Sequence, residues 1–265
     1  MIIDSRDPIP ESETPIPPEL PRPSPLSHGA GTALFLDFDG TLVEIADHPD
    51  GIDVTPGLPG MLEALSRRLD GRLAIVSGRA LADLDRHLGP VAVAMAGSHG
   101  GEFREAGSRD VVPLAEPLPE SVLAQLRALA ERLGGLLVEA KPLSAAIHYR
   151  SDTSVRDTLL EATQAMAKSH GLALKHGKMV IELVMPGSDK GAAVRRFMDL
   201  PGFVEARPIF AGDDVTDEDA FRAVTDFGGG GILVGPMRET AAVWRLGGVD
   251  AVHQWLRAAT GDDAQ

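Results

Sequence analysis

The chain has 265 residues and a formal net charge of −14, with 43% hydrophobic and 24% charged residues. That length supports one large domain or two modest ones, and the mixture is that of a globular chain with a real core. The acidic balance argues against nucleic acid as a partner, since phosphate backbones attract basic surfaces. The absence of cysteine excludes disulfides, thiolate metal sites and a thiol nucleophile. No apolar run approaches a membrane span and no signal-peptide core opens the chain. No membrane partner, a cytoplasmic location and a monomer are expected.

Residues 1–29 carry Pro8, Pro10, Pro15, Pro17, Pro18, Pro21, Pro23 and Pro25. A segment so poor in backbone donors and apolar periodicity is expected to be an extended, disordered tail, with the folded body starting near Ala30. Ala33-Leu34-Phe35-Leu36 then run apolar without alternation, which predicts a strand buried on both faces. It delivers Asp37-Phe38-Asp39-Gly40-Thr41 at its carboxyl end, where open α/β sheets bind ligands. Asp37 and Asp39 project to the same side of an extended segment, so both can reach one substrate. Gly40 permits a sharp turn with its amides free for an anion. An EF-hand calcium loop needs its Gly at position six and a Glu at position twelve, which this stretch lacks. Taken alone, the two acids fit either catalysis or a solvated turn.

Thr55-Pro56 signals a helix start; Leu58, Leu62, Leu65 and Leu69 share one helical face, and Asp70-Gly71 ends it. Leu73 to Val76 is a second buried strand, closing on Ser77-Gly78-Arg79. Leu81, Leu84 and Leu88 mark a short helix, and Val91 to Ala96 a third strand. This alternation predicts an α/β fold built on a doubly wound parallel sheet. Near Pro113 the pattern changes. Helical faces at Leu126, Leu129, Ala130, Leu133 and at Val155, Leu159, Ala162, Met166 are interleaved with strand-like segments 136–140, 144–150, 172–176 and 179–185. An α+β insertion over 113–185 is expected within a core made of 30–112 and 186–265.

The sheet pattern then returns. Ser188 can cap a helix containing Lys190, Val194, Phe197 and Met198. Ile209 to Ala211 is a strand that delivers Gly212-Asp213-Asp214, and Ile232 to Val234 is another. A last helix carries Val252, Trp255, Leu256 and Ala259 inward. The Gly228 to Gly231 run lacks the ending of a phosphate loop and reads as a flexible bend.

Carboxylates at two strand ends can hold one hard cation through oxygen, and Mg²⁺ favours a few carboxylates with water and phosphate. Ser77 and Lys190 offer a donor and a cation for phosphate oxygens, so the set as a whole predicts phosphoryl transfer. A signalling receiver domain also uses an Asp, a Ser or Thr and a Lys, but needs neither Asp39 nor the insertion. Within the insertion, strand alternation places Glu139 with Lys141, His148 with Arg150, and Glu182 on polar sides. Val138, Ala140, Ile147, Tyr149, Ile181 and Leu183 take the other sides. A solvated face and a sugar-reading face fit this pattern equally.

The order Asp37-Phe38-Asp39-Gly40-Thr41, Ser77-Gly78-Arg79, Lys190-Gly191 and Gly212-Asp213-Asp214 resembles the haloacid dehalogenase superfamily of phosphatases. Gly97-Ser98-His99-Gly100, His148-Tyr149-Arg150, the stretch 177–183 and Gly212 to Glu218 resemble, within it, the trehalose-6-phosphate phosphatase family. The resemblance runs from about Leu34 to Glu218. It implies a Rossmann-like core with the insertion as a cap, and Mg²⁺-dependent hydrolysis of a small sugar phosphate. It implies Asp37 as nucleophile forming an aspartyl-phosphate, Asp39 as acid and base, and Ser77 and Lys190 on the phosphate oxygens. Metal ligands would be Asp37, the Asp39 carbonyl and Asp213, with Asp214 and Asp217 supporting metal-bound water and Lys190. Glu139, Lys141, Glu182, His148, Arg150, His99 and Arg79 would contact substrate. A sucrose-phosphate phosphatase is the alternative substrate reading; the intact acidic set argues against a silent sugar-phosphate binder.

Overall fold

Thr32–Leu36 forms β1 at the centre of the sheet, with Ala33 to Leu36 wholly buried. The computed structural model describes residues 19–26, 31–46, 51–113, 116–177, 179–187 and 189–261. After β1 come α1 (Leu58–Arg68), β2 (Leu73–Val76), α2 (Leu81–Leu88), β3 (Ala94–Gly97), β4 (Glu102–Arg104) and β5 (Val112–Pro113). A separate group follows: α3 (Glu120–Arg132), β6 (Leu137–Ala140), β7 (Ser144–His148), α4 (Arg156–His170), β8 (Ala173–Gly177) and β9 (Val180–Val184). The chain then returns with α5 (Lys190–Met198), β10 (Arg207–Gly212), α6 (Glu218–Asp226), β11 (Gly230–Val234), β12 (Trp244–Leu246) and α7 (Val249–Thr260).

The main sheet has eight strands in the order β12-β11-β10-β1-β2-β3-β4-β5. It is parallel from β12 to β3, and antiparallel at the β3–β4 and β4–β5 pairs. Successive side chains of a strand point to opposite faces, so β1 feeds two cores. Leu34 and Leu36 join Leu62 and Leu65 of α1, Leu84 of α2 and Leu256 of α7. Ala33 and Phe35 join Phe197 of α5 and Phe221 of α6. In that second core Phe197 lies between Phe35 at 5.6 Å, Phe103 at 4.7 Å and Phe203 at 5.6 Å, measured between ring centroids. Truncating such a ring to Ala costs ~3–5 kcal/mol.

The second sheet is wholly antiparallel, in the order β6-β7-β9-β8. Its apolar side, with Ile147, Ile181 and Leu183, packs beneath Val122, Leu126 and Leu129 of α3 and Leu159 of α4. In register, Glu139 stands opposite Ala146, Ala146 opposite Glu182, and Glu182 opposite Lys175, so these share the uncovered side. Among the described residues no helix is long and apolar enough to cross a membrane.

Several expectations need correction. The proline-rich segment is not a free tail throughout: residues 19–26 are docked. Leu20 packs on one core and Leu26 on the other, Pro23 is buried, Arg245 N donates to Pro21 O at 3.0 Å, and Trp255 Nε1 donates to Ser24 O at 3.0 Å. Proline's fixed φ suits an extended strap that needs few donors of its own. The Gly228–Gly231 run is not a loose bend either, because Gly230 and Gly231 open β11. A Cβ at Gly230 would meet the Trp244 ring at 2.6 Å, and one at Gly231 the Phe221 ring at 2.5 Å. Asp189, rather than the residue before it, caps α5 by accepting from Ala192 N at 2.7 Å; Ser188 lies outside the described residues.

Candidate active site

The apolar run of β1 ends at Asp37, whose amide donates to Ala211 O of the neighbouring β10 at 2.9 Å. The backbone then turns tightly, with Leu42 N and Val43 N both bonded to Phe38 O. Gly40 sits in this turn at φ 73°. A Cβ there would stand 2.2 Å from Asp213 Oδ2, so only glycine lets the β1 and β10 ends close on each other. One oxygen each of Asp37, Asp213 and Asp217 then lies within 4.8 Å of the others.

Lys190, at the start of α5, is buried with this cluster. Its Nζ is 2.7 Å from Asp37 Oδ1 and 2.6 Å from Asp217 Oδ1. Asp217 is fully engaged, since its Oδ2 accepts from Asp214 N at 2.9 Å. Three carboxylates face one ammonium, which leaves two negative charges uncompensated in a largely water-excluded place. Burial first and Asp217 second push Asp37 well above the usual carboxylate range, against the pull of Lys190. The same two causes push Asp213 up to about 6. Both carboxyls respond to missing positive charge, and their oxygen-only donors suit a hard divalent cation. The residues fit such an ion: Asp37 and Asp213 would hold it, while Asp217 engages Lys190.

Ser77 directly follows β2 and is buried, its Oγ accepting from Arg79 N at 3.1 Å. Arg79 faces a carboxylate. Its Nε and Nη2 each donate to Asp39 at 2.8 Å, and Nη1 donates to Asp83 at 2.7 Å. Asp39 is thus held by its carboxylate in a charge-assisted fork.

The uncovered side of the second sheet reaches this core. His99, in a left-handed conformation at φ 57°, lies over Gly78, where a Cβ would meet its ring at 2.6 Å. Its Nε2 is 4.0 Å from Glu182 Oε2 on β9. Burial pushes His99 down to about 3, so the imidazole is neutral; Glu182 partly opposes this. Burial works against Glu182 as well, but Lys141, the Ser144 hydroxyl and Lys175 hold it below the usual range. Ser144 Oγ donates to Glu182 Oε1 at 2.6 Å, and Lys141 Nζ bridges Glu182 at 3.4 Å and Glu139 at 3.7 Å. His148 Nε2 lies 3.2 Å from Glu139 Oε2.

The structure therefore brings Asp37, Lys190, Asp213 and Asp217 into one cluster. It gathers Glu139, Lys141, His148, Glu182 and His99 into a polar group beside it. Arg150 lies past the end of β7 and is exposed, outside both groups. Asp214 and Asp217 bind each other reciprocally, the Asp214 amide donating to Asp217 Oδ2 and the Asp214 side chain accepting from the Asp217 backbone. Lys175 escaped the sequence reading, although its charge acts on both His99 and Glu182. Its alternation with the core-packed Leu174 was the available signal.

A family model described as trehalose-phosphatase matches residues 35–247, a span that runs from β1 past β12. Trehalose-6-phosphate phosphatase of Escherichia coli K12 is 36% identical over 230 residues, covering 86% of each chain. Among solved structures, one described as a trehalose-6-phosphate phosphatase related protein is 27% identical with TM-score 0.69, covering 86% of this chain and 97% of its own. A haloacid dehalogenase-like hydrolase from Bacteroides thetaiotaomicron, 16% identical, shares the fold at TM-score 0.64, covering 86% and 99%. The matched span contains both sheets and every acid of the cluster, and on that footing the chain belongs to the trehalose-phosphatase family.

Proposed function

We propose that this chain is a phosphatase hydrolysing trehalose 6-phosphate to trehalose and phosphate, a reaction of trehalose biosynthesis. The observation that carries the reading is the buried Asp37–Lys190–Asp217 cluster with Asp213 beside it, facing the polar group around Glu182. Asp37 attacks phosphorus in line and forms an aspartyl-phosphate, which a carboxylate can do without a base. Asp39 protonates the departing sugar oxygen, then takes a proton from the water that clears the intermediate. For this it leaves or shifts within the Arg79 fork, which otherwise orients it. Lys190 and Ser77 hold the equatorial oxygens as charge redistributes. Asp37, the Asp39 carbonyl and Asp213 would hold Mg²⁺, which when bound would offset repulsion between carboxylate and phosphate. Asp217 keeps Lys190 charged and in place.

We read residues 113–185 as a cap whose polar side recognises the sugar. Glu139, Lys141, Glu182 and His148 offer acceptors and donors for hydroxyls, and His99 meets them from the core. The test is phosphate release from trehalose 6-phosphate, sucrose 6-phosphate and glucose 6-phosphate, with MgCl₂ and with excess chelator. Turnover of trehalose 6-phosphate about ten- to a hundredfold above the others supports the reading, since that is what one hydrogen bond of ~1.5–3 kcal/mol to a charged group contributes. Equal turnover of all three would overturn the substrate assignment, and full activity in chelator would overturn the metal.

A further inference from the structure

Arg238 lies in the segment between β11 and β12, outside every motif discussed above. Its Nη2 donates to Asp214 O at 2.7 Å and reaches Asp213 O at 3.5 Å. Its Nη1 pairs with Glu218 and donates to Glu239 O at 3.0 Å. Glu218 is itself fixed, accepting from Thr240 Oγ1 and from Ala241 N, each at 2.8 Å. The Nε of Arg238 is buried and has no partner. A buried donor left unmet is unfavourable, so this guanidinium is placed for its two Nη atoms at the expense of the third nitrogen.

The loop it grips has little room to move. Asp213 sits where Gly40 lacks a side chain, and Gly212 is packed so closely that a Cβ would stand 2.3 Å from the Asp217 carboxyl carbon. Asp217 pins this loop at the Asp214 amide, and Arg238 pins it at two carbonyls. We infer that Arg238 is a positioning residue for Asp213: it holds the backbone of Asp213 and Asp214 so that the carboxylate stays aimed at the metal position. It touches neither substrate nor metal. The inference rests on the proposal that Asp213 holds a divalent cation.

Metal-free protein is titrated with MgCl₂ by calorimetry for the wild type, Arg238→Gln and Arg238→Lys, with circular dichroism and Tm recorded without metal. Losing a residue that orients a metal ligand weakens affinity about 10- to 100-fold. Arg238→Gln should show that loss. Arg238→Lys should recover part of it, because one ammonium keeps the charge but cannot span Glu218 and both carbonyls. A lowered Tm with unchanged Mg²⁺ affinity would mean Arg238 only stabilises the fold, and the inference would be wrong. If Arg238→Gln does not fold, Arg238→Lys decides, with unchanged affinity again overturning the inference. Should the wild type bind no Mg²⁺, the metal reading itself fails, which is a different result from variants that bind as it does.

Discussion

One ammonium serving two carboxylates sets what each acid at this site can do. Lys190 fixes Asp217 with one contact and leaves Asp37 a second oxygen for chemistry. Asp37→Asn should therefore lower turnover by at least about a thousandfold, as removal of a nucleophile does, while Lys190 keeps its place on Asp217. Asp39→Asn should still form the aspartyl-phosphate but clear it slowly, and mass spectrometry of protein quenched with substrate would show the trapped adduct. Wild-type rates in the first variant would remove Asp37 from its role. His99 carries a different prediction. Its unfolded value near 6.5 falls to about 3 in the folded protein, so between those limits the unfolded chain binds more protons. Stability should then decline as pH drops from 6.5, by about 2 kcal/mol at pH 5 from this group. The His99→Gln variant should show a shallower acid limb in urea melts from pH 7 to 4.5; parallel limbs would contradict a buried neutral imidazole. The sequence made Asp37, Asp39, Lys190 and Asp213 legible, because each follows a strand end or opens a helix. It did not reveal that Arg79 clasps Asp39, or that Lys175 and Arg238 bear on the site. The Arg79 and Arg238 pairings join positions far apart in the chain, and no local period encodes them.

The second sheet turns an alternating sequence into two unlike faces. Its apolar side meets α3 and α4, and Glu139, Lys141 and Glu182 form a linked charge group on the other. Replacing any of the three by Ala removes hydrogen bonds of ~1.5–3 kcal/mol to substrate hydroxyls. The kcat/KM for trehalose 6-phosphate should fall about ten- to hundredfold. A small aryl phosphate, which makes no such contacts, should be turned over nearly as before. Equal losses on both substrates would assign these residues to folding. Period alone predicted this element well, since alternation over 136–140 and 179–185 matches β6 and β9 within a residue or so. It failed for β4, β5 and β12, which are two or three residues long and too short to show a period. Gly230 and Gly231 misled for another reason: they are glycine because rings press on the strand, not because the backbone turns.

At the scale of the whole molecule, the strap of residues 19–26 ties the start of the chain to its end. Leu20 and Leu26 belong to opposite cores, so the segment passes round the side of the sheet at β12, and Glu19 pairs with Arg245. A chain beginning at Ser27, compared with one beginning at Glu19, should lose about 2–3 kcal/mol through the uncovered apolar area and two broken hydrogen bonds. That is roughly 5–10 °C in Tm for a protein of this size. Coincident melting curves would show that the strap contributes nothing to stability. Its position has a second consequence. β12 and β5 are the outermost strands of the main sheet, and such strands offer unpaired amides and carbonyls to any other extended chain. At β12 the Arg245 amide is already taken by Pro21, whose neighbours include residues with no N–H to extend a ladder; at β5 the strand is two residues long and its second is Pro113. Proline thus closes both margins of the sheet to strand addition, and the protein carries its own guard against edge-to-edge aggregation.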